Sequence, residues 1–439
     1  MTAERMTRSP VERSLRTVPF GQSAYFLLLT ALFALMACFS GDAGAAGFTV
    51  KPSLTVSEEY QDNILLDPVN RREDYITHAI PAVVLYYRTP FWTWDVDYSL
   101  DYRHYGRGTA EDGTANSLRA RNHTEVLDKV LFVDISDEMA RTSIDIRRDY
   151  TQQSLVVNQA EQNIFTVNPY LVLHATANIA VTAGYLYRDT KYTHISEATS
   201  NAVLNRSDNV TYADATWSLS SQLSITAGVR DTRDRNGIDD YEQTDIYSGL
   251  NYSYGEKSFL IAGIGKSRLE YEQTGREQYW FGNAGITHHL STVTMVFDGK
   301  RSFVADPQTV QTQLDSYTTT LRKEMPRMEI TLSAAKSYYR DARFNIPQAT
   351  SDEVRGSISH RLSPRTSGIV RGQYQDLLDK SVFLNAHTRT GIYGLRFQYT
   401  LSEKMTLAFD YSHIHAVSPA ITVNNYANNR AVIEIRKEF

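Results

Sequence analysis

The chain has 439 residues, 22% charged and 42% hydrophobic, with a formal charge of −5. That balance excludes a disordered chain and a helical membrane protein, and the negative charge argues against nucleic acid as the main partner. One cysteine, Cys38, excludes a disulfide framework or thiolate metal site, whereas 28 tyrosines suit strands and membrane interfaces, where the ring is buried and the hydroxyl stays wet.

The N-terminus reads as a targeting segment. Arg5, Arg8, Arg13 and Arg16 precede an apolar run from Ala24 to Phe39 and a small-residue stretch from Gly41 to Gly47. Ala43-Gly44-Ala45 fits an A-x-A cleavage pattern, so residues 1–45 are expected to be a signal peptide and residues 46–439 the mature chain, of charge about −6. The apolar run is shorter than the roughly 20 residues a bilayer helix needs. Leu35-Met36-Ala37-Cys38 only loosely resembles a lipoprotein processing box.

The clearest strand runs from Thr93 to Tyr105. Trp94, Val96, Tyr98, Leu100 and Tyr102 share one face, and Asp95, Asp97, Ser99, Asp101 and Arg103 the other. The same alternation recurs along the chain and predicts twenty strands. They cover 49–60, 74–88, 93–105, 117–135, 139–150, 162–174, 179–192, 207–219, 222–234, 241–254, 258–271, 277–288, 292–303, 311–323, 327–340, 350–362, 366–377, 386–400, 404–415 and 427–439. No later segment is apolar enough for a membrane helix. In lipid only helices and closed barrels satisfy every backbone polar group. The expected fold is therefore all-β: a transmembrane, antiparallel, up-and-down β-barrel of about 20 strands (range 18–22) in the outer membrane of a Gram-negative bacterium.

Tight turns and longer polar loops alternate. The tight turns share a signature, as in Ile135-Ser136-Asp137-Glu138-Met139, Leu219-Ser220-Ser221-Gln222-Leu223, Leu362-Ser363-Pro364-Arg365 and Leu401-Ser402-Glu403-Lys404-Met405. Thr89-Pro90-Phe91, Ala175-Thr176-Ala177-Asn178, Gly255-Glu256-Lys257, Leu290-Ser291-Thr292 and Met325-Pro326-Arg327 complete the set, all expected on the periplasmic side. Within 117–135 the apolar phase shifts near Asp128-Lys129, which reads as a bulge, a strand continuing beyond the membrane, or an extra hairpin that would raise the count to 22. In the last strand Ile433 and Ile435 share a face with Phe439, an aromatic placed as the C-terminal assembly signal of outer-membrane barrels is; Lys437 departs from that pattern.

A barrel of this size is wide, and no plug domain is visible. Side chains, an inward loop or a partner would otherwise fill it. The inward faces mix charges. Candidate lumen-lining residues are Asp95, Asp97, Asp101, Arg103, Arg141, Asp145, Arg147, Arg230, Glu434 and Arg436, with Arg233 alongside and Ile144 and Ile146 facing outward. They serve as cross-strand ion pairs or as contacts for a polar solute. No catalytic motif, cofactor motif or metal-ligand spacing is present. His413 and His415 share a strand face but make a weak case for a metal.

Four stretches carry a family resemblance: residues 54–64 (LTVSEEYQDNI), 92–98 (WTWDVDY), 148–155 (RDYTQQSL) and 165–170 (FTVNPY). Together they resemble the uncharacterised outer-membrane proteins associated with PEP-CTERM/exosortase systems. The resemblance implies a porin-type barrel linked to exopolysaccharide production, with a polysaccharide or a periplasmic export partner besides outer-membrane lipid and the assembly machinery. Two function classes stay open. One is a transport conduit. The other is a scaffold barrel sealed by, or sheathing, a periplasmic partner such as a multihaem cytochrome, whose haem would come from the partner because the chain has no CxxCH. A non-enzyme is expected in either case.

Overall fold

The structure, a computed structural model, describes residues 47–195, 203–380 and 385–439; the expected signal peptide, residues 1–45, lies outside the described residues. Twenty strands follow in chain order: β1 (Phe48–Gln61), β2 (Asp74–Arg88), β3 (Trp92–Tyr105), β4 (Gly113–Leu127), β5 (Leu131–Ser143), β6 (Gln159–Thr176), β7 (Ile179–Thr193), β8 (Arg206–Ser218), β9 (Leu223–Arg235), β10 (Tyr241–Gly255), β11 (Ser258–Tyr271), β12 (Gly275–Leu290), β13 (Val293–Asp306), β14 (Thr309–Met325), β15 (Met328–Asp341), β16 (Ile346–Ser363), β17 (Thr366–Lys380), β18 (Asn385–Ser402), β19 (Met405–Val417) and β20 (Tyr426–Glu438). Each pairs with its chain neighbours in a single sheet, and β1 pairs antiparallel with β20 from Ser53↔Glu438 to Gln61↔Arg430. That last ladder closes the sheet into a barrel and removes its edges.

Alternation along the strands sorts side chains between wall and lumen. Val56, Tyr102, Val229, Ile264, Phe297, Val354, Val370, Phe409 and Ile433 are exposed apolar residues on the outer face. Closure plus an apolar outer belt is the arrangement a bilayer demands of strands.

The Ser-rich turn signature has a local cause. In the β8–β9 turn the Ser220 hydroxyl accepts hydrogen bonds from the backbone N–H of Gln222 and Leu223, and in the β16–β17 turn Ser363 accepts from Arg365. Thr89 and Thr176 act likewise toward Trp92 and Asn178. Short side chains that bond their own backbone stabilise tight reversals.

One expected turn is misplaced. Ile135–Met139 lies inside β5, and the reversal sits at Asp128–Val130, where Lys129 adopts a positive φ of 53° and the Val130 N–H bonds the Leu127 carbonyl. The shift of apolar phase near Asp128-Lys129 is thus the turn itself, with an irregularity of register beside it between Glu125 and Leu127. The expected strands 117–135 and 139–150 become β4 and β5, which end eight and seven residues earlier. The strand count holds because the residues released at the end of β5 form a loop.

That loop, residues 144–158, is the longest of the connections described throughout and turns into the barrel. It carries a short 3₁₀ turn at Tyr150–Gln152, capped by Asp149. Tyr150 packs with Leu66, Ile392, Ile414, Ala416 and Tyr426, the last four from β18, β19 and β20. Leu155 packs with Ile64, Ile76 and Tyr105 from the opposite flank. Ser154 Oγ donates to the Ile64 carbonyl at 2.7 Å, Asn428 Nδ2 to the Gln153 carbonyl at 3.1 Å, and the Tyr426 hydroxyl to Gln153. Buried backbone groups of a loop need such partners.

A second inward element is the β13–β14 hairpin tip. Arg206 donates to the carbonyls of Asp306, Thr309 and Val310, and Val310 packs with Tyr241, Leu269 and Tyr271. The bend leaves the β12–β13 ladder short. It stops at Gly282↔Arg301, whereas the β11–β12 ladder continues to Tyr271↔Gly275.

Among the described residues, the four buried apolar clusters lie in the strand halves and connections remote from the tight turns. The lumen is therefore filled at its loop end and wide at its turn end.

Candidate functional site

The inward loop rests on a buried polar girder. Glu59 of β1 accepts from Gln61 Nε2 at 2.5 Å and from Arg430 Nη2 of β20 at 2.7 Å. His78 of β2 stands 3.5 Å from Glu59 and 2.8 Å from Asp101 of β3, which also takes Arg103 Nε at 2.6 Å. Arg141 of β5 reaches up to the Leu155 carbonyl at 2.5 Å. Charged groups away from water need such mutual pairing, because an orphaned partner costs several kcal/mol.

Beyond the girder the loop crosses toward the far wall. Arg147 Nε bonds Asp145 at 2.8 Å, its Nη1 stands 3.3 Å from Asp379 of β17, and its carbonyl accepts from Gln375 Nε2 at 2.9 Å. Burial would lower the Arg147 pKa, but Asp145 and Asp379 more than offset it, so the pKa is raised and the guanidinium stays charged.

Two cavities of about 410 Å³ each flank this bridge. The outer one is lined by Asp306, Gln308, Asp341, Pro347, Asp379 and Lys380, at the loop ends of β13–β17. The inner one lies between the loop and the β15–β17 wall, where Ser337, Ser351, Glu353, Arg355, Gln373 and Gln375 line it. Asp145 and Arg147 line both. β5 and β15 face each other across a ring of twenty strands, so the loop spans the lumen and meets the far wall at Asp379 and Gln375, with one cavity on each side of that contact.

The ten candidate residues fall into separate places. Asp101, Arg103 and Arg141 belong to the girder. Asp145 and Arg147 line the passage, but from the loop and not from a strand. β5 ends at Ser143, and Ile144, expected to face outward, is wholly buried against Ala160 and Tyr192. Asp95 and Asp97 lie lower, beside Arg88 at 3.8 Å and Arg119 at 3.4 Å, in the wide part of the lumen. Arg230 lies over the Tyr247 ring, its guanidinium 5.8 Å from the centroid. Glu434 stands 3.4 Å from Arg396 and Arg436 3.2 Å from Glu438. Arg233 shares the outward parity of Val229 and pairs with Glu242, so it is not a lumen residue. Phe439 is half exposed beneath the Lys437 ammonium, 5.2 Å from its ring.

Arg355, Glu353, Gln375 and Asp379, which complete the passage, were not singled out from the sequence. They come from strands roughly 200 residues from the loop, and local alternation carries no signal of that pairing. Among the described residues no group of three or more metal-binding side chains occurs, and His413 bonds Asn429.

No family profile matches the chain, and no curated protein does. Solved outer-membrane proteins of Pseudomonas aeruginosa are similar in structure. A mutant of the ferric enterobactin receptor PfeA aligns over 90% of this chain and 81% of its own at 10% identity, with a TM-score of 0.50. The siderophore receptor PirA aligns over 89% and 80% at 11% identity (TM-score 0.48), and OccK1 (OpdK) over 89% and 99% at 10% identity (TM-score 0.44). At such identity the likeness speaks for the fold. With the closed sheet and its apolar belt, the chain is a twenty-stranded outer-membrane β-barrel of porin-like architecture.

Proposed function

We propose that the barrel is a passive channel for small polar solutes, which pass the 144–158 loop on its β15–β17 side. The observation that carries this reading is the pair of cavities that share Asp145 and Arg147. Arg141, Arg147, Arg148 and Arg355 outnumber Asp145, Asp149 and Glu353 in the inner cavity, which supports a weak preference for anions. The resemblance to proteins of exopolysaccharide systems supports carbohydrate export as the setting; a polymer would pass as a single extended strand or with the loop displaced. A cytochrome sheath is disfavoured, because the chain's own loop fills the space a partner would need. No catalytic step is proposed.

Single-channel recording of the refolded mature protein tests the reading. Steady, narrow, weakly anion-selective steps are expected, and wider ones after residues 146–156 are replaced by a short Gly/Ser linker. A folded barrel that conducts in neither form overturns it.

A further inference from the structure

Below the loop, the inner wall of β4–β12 carries a row of aromatic rings outside the passage just described. His123 stacks on Phe132 with centroids 5.6 Å apart, and Phe132 on Tyr170 at 5.3 Å. Tyr170 and Tyr212 meet over Gly184, where a Cβ would lie 2.5 Å from the Tyr212 hydroxyl and 2.8 Å from the Tyr170 Cβ. Tyr247 lies across Gly228 and Phe281 across Gly265 in the same way, 6.5 Å apart as rings. Register puts these residues on one face, through Phe132↔Tyr170, Tyr170↔Gly184 and Gly184↔Tyr212, then Gly228↔Tyr247, Tyr247↔Gly265 and Gly265↔Phe281. The row starts at the tight-turn end of β5, the end expected to face the periplasm, and climbs to mid-height on β12.

Polar groups edge the rings. His123 bonds Asp134 at 2.6 Å, the Tyr212 hydroxyl donates to Asn168 at 3.0 Å, the Tyr247 hydroxyl donates to Asp214, and Arg230 stands over Tyr247. At the upper end, missing side chains at Gly249 and Gly263 open a recess of about 340 Å³ between Tyr247 and Phe281, with Asn251 and Asn283 in its lining. The far wall offers Ser333, Ser337, Ser357 and Arg371 in place of rings.

A pyranose has an apolar C–H face and a rim of hydroxyls. The rings laid over Gly184, Gly228 and Gly265, edged by amide, carboxylate and guanidinium groups, complement both, and the stacked His123, Phe132 and Tyr170 extend the apolar row below them. We infer that the row is a sliding contact for a linear neutral oligosaccharide entering from the periplasmic side, with the recess as its resting site. The inference deepens the channel reading and rests on it for passage, though not for binding.

The test adds maltohexaose or cellohexaose to single channels of the wild type, with a polyethylene glycol of equal size as control. At least one sugar is expected to block current in resolved events that the glycol does not produce. Y247A and F281A are each expected to shorten the blocks about fivefold, whereas Y247F, which keeps the ring, leaves them nearly unchanged. Heat-shifted gel mobility confirms folding of each variant. A conducting wild type that neither sugar blocks overturns the inference and leaves the channel standing. Equal blocking in wild type and both alanine variants also overturns it. If the folded barrel does not conduct, titration calorimetry with both sugars decides: binding lost in F281A keeps the site without the channel, and no binding removes both.

Discussion

Arg147 concentrates the chemistry of the passage in one side chain. Arg147→Ala removes the bridge between Asp145 and Asp379 and leaves two carboxylates facing the opening. Because the three side chains keep partial access to water, the expected stability loss is modest, about 1 kcal/mol. The functional change is larger: the zero-current potential across a KCl gradient should move from weak anion to cation preference. No change of sign or size would separate Arg147 from the conducting path. Gly228 is a second sensitive position. A Cβ there would meet the Tyr247 ring at 2.7 Å, so Gly228→Val must displace a packed ring at a cost of about 1–3 kcal/mol. Its heat-shifted mobility should be lost at a lower temperature than that of Gly249→Val, where the nearest atom is 3.4 Å away. At this scale the sequence was half legible. Asp101 and Arg103 could be picked by parity alone, but Arg141, Asp145 and Arg147 were picked by the period of a strand expected over 139–150, whereas β5 runs from Leu131 to Ser143 and gives Arg141 the parity opposite to Phe132 and Glu138. The partners that give them meaning, Asp379 and Gln375, are joined to them only by barrel closure.

Among the elements, hairpins were the most readable, because their turns are stabilised by side chains a residue or two away. Ser220 and Ser363 exert their effect within the turn that contains them, and both turns were located. Asp128–Val130 escaped because its reversal rests on a positive φ at Lys129, a residue type with no preference for that region. The inward loop was hidden for another reason. Ile144 and Tyr150 look like outward residues of a strand over 139–150, and Leu155 like part of a plain connection, until the partners that bury them are known. Tyr150 is the anchor of this loop. Tyr150→Ala removes a buried ring at a local cost of about 3–5 kcal/mol. The expected result is a folded barrel with flickering, larger conductance steps, and trypsin should cut after Arg147 or Arg148 faster than in the wild type. Unaltered steps and an uncut loop would show that the polar girder alone holds it.

For the whole molecule, closure was legible and the content of the lumen was not. Alternating faces, short turns and an even strand number dictate a sealed sheet. What fills it depends on contacts such as Glu59 with Arg430, 371 residues apart. The resulting shape is a cup, stoppered at the loop end and wide at the turn end. A bulky, membrane-impermeant maleimide should therefore modify Ser333→Cys, in a Cys38→Ser background, when the periplasm is opened, and should leave it unmodified on intact cells. Labelling from outside would mean that the stopper is not closed to large molecules.

The stopper is also continuous with the wall. The loop leaves β5 and re-enters at β6, both ends on the side away from the tight turns, and it is held by β2, β3, β17, β18, β19 and β20 as well. Traction from the periplasm would have nothing to grip short of unravelling the β5–β6 hairpin, and with it the seal against lipid. A stopper tied to the wall in this way should resist being pulled out from the tight-turn side. Under the channel reading proposed above, a solute would then move down its own concentration gradient past the loop at Arg147.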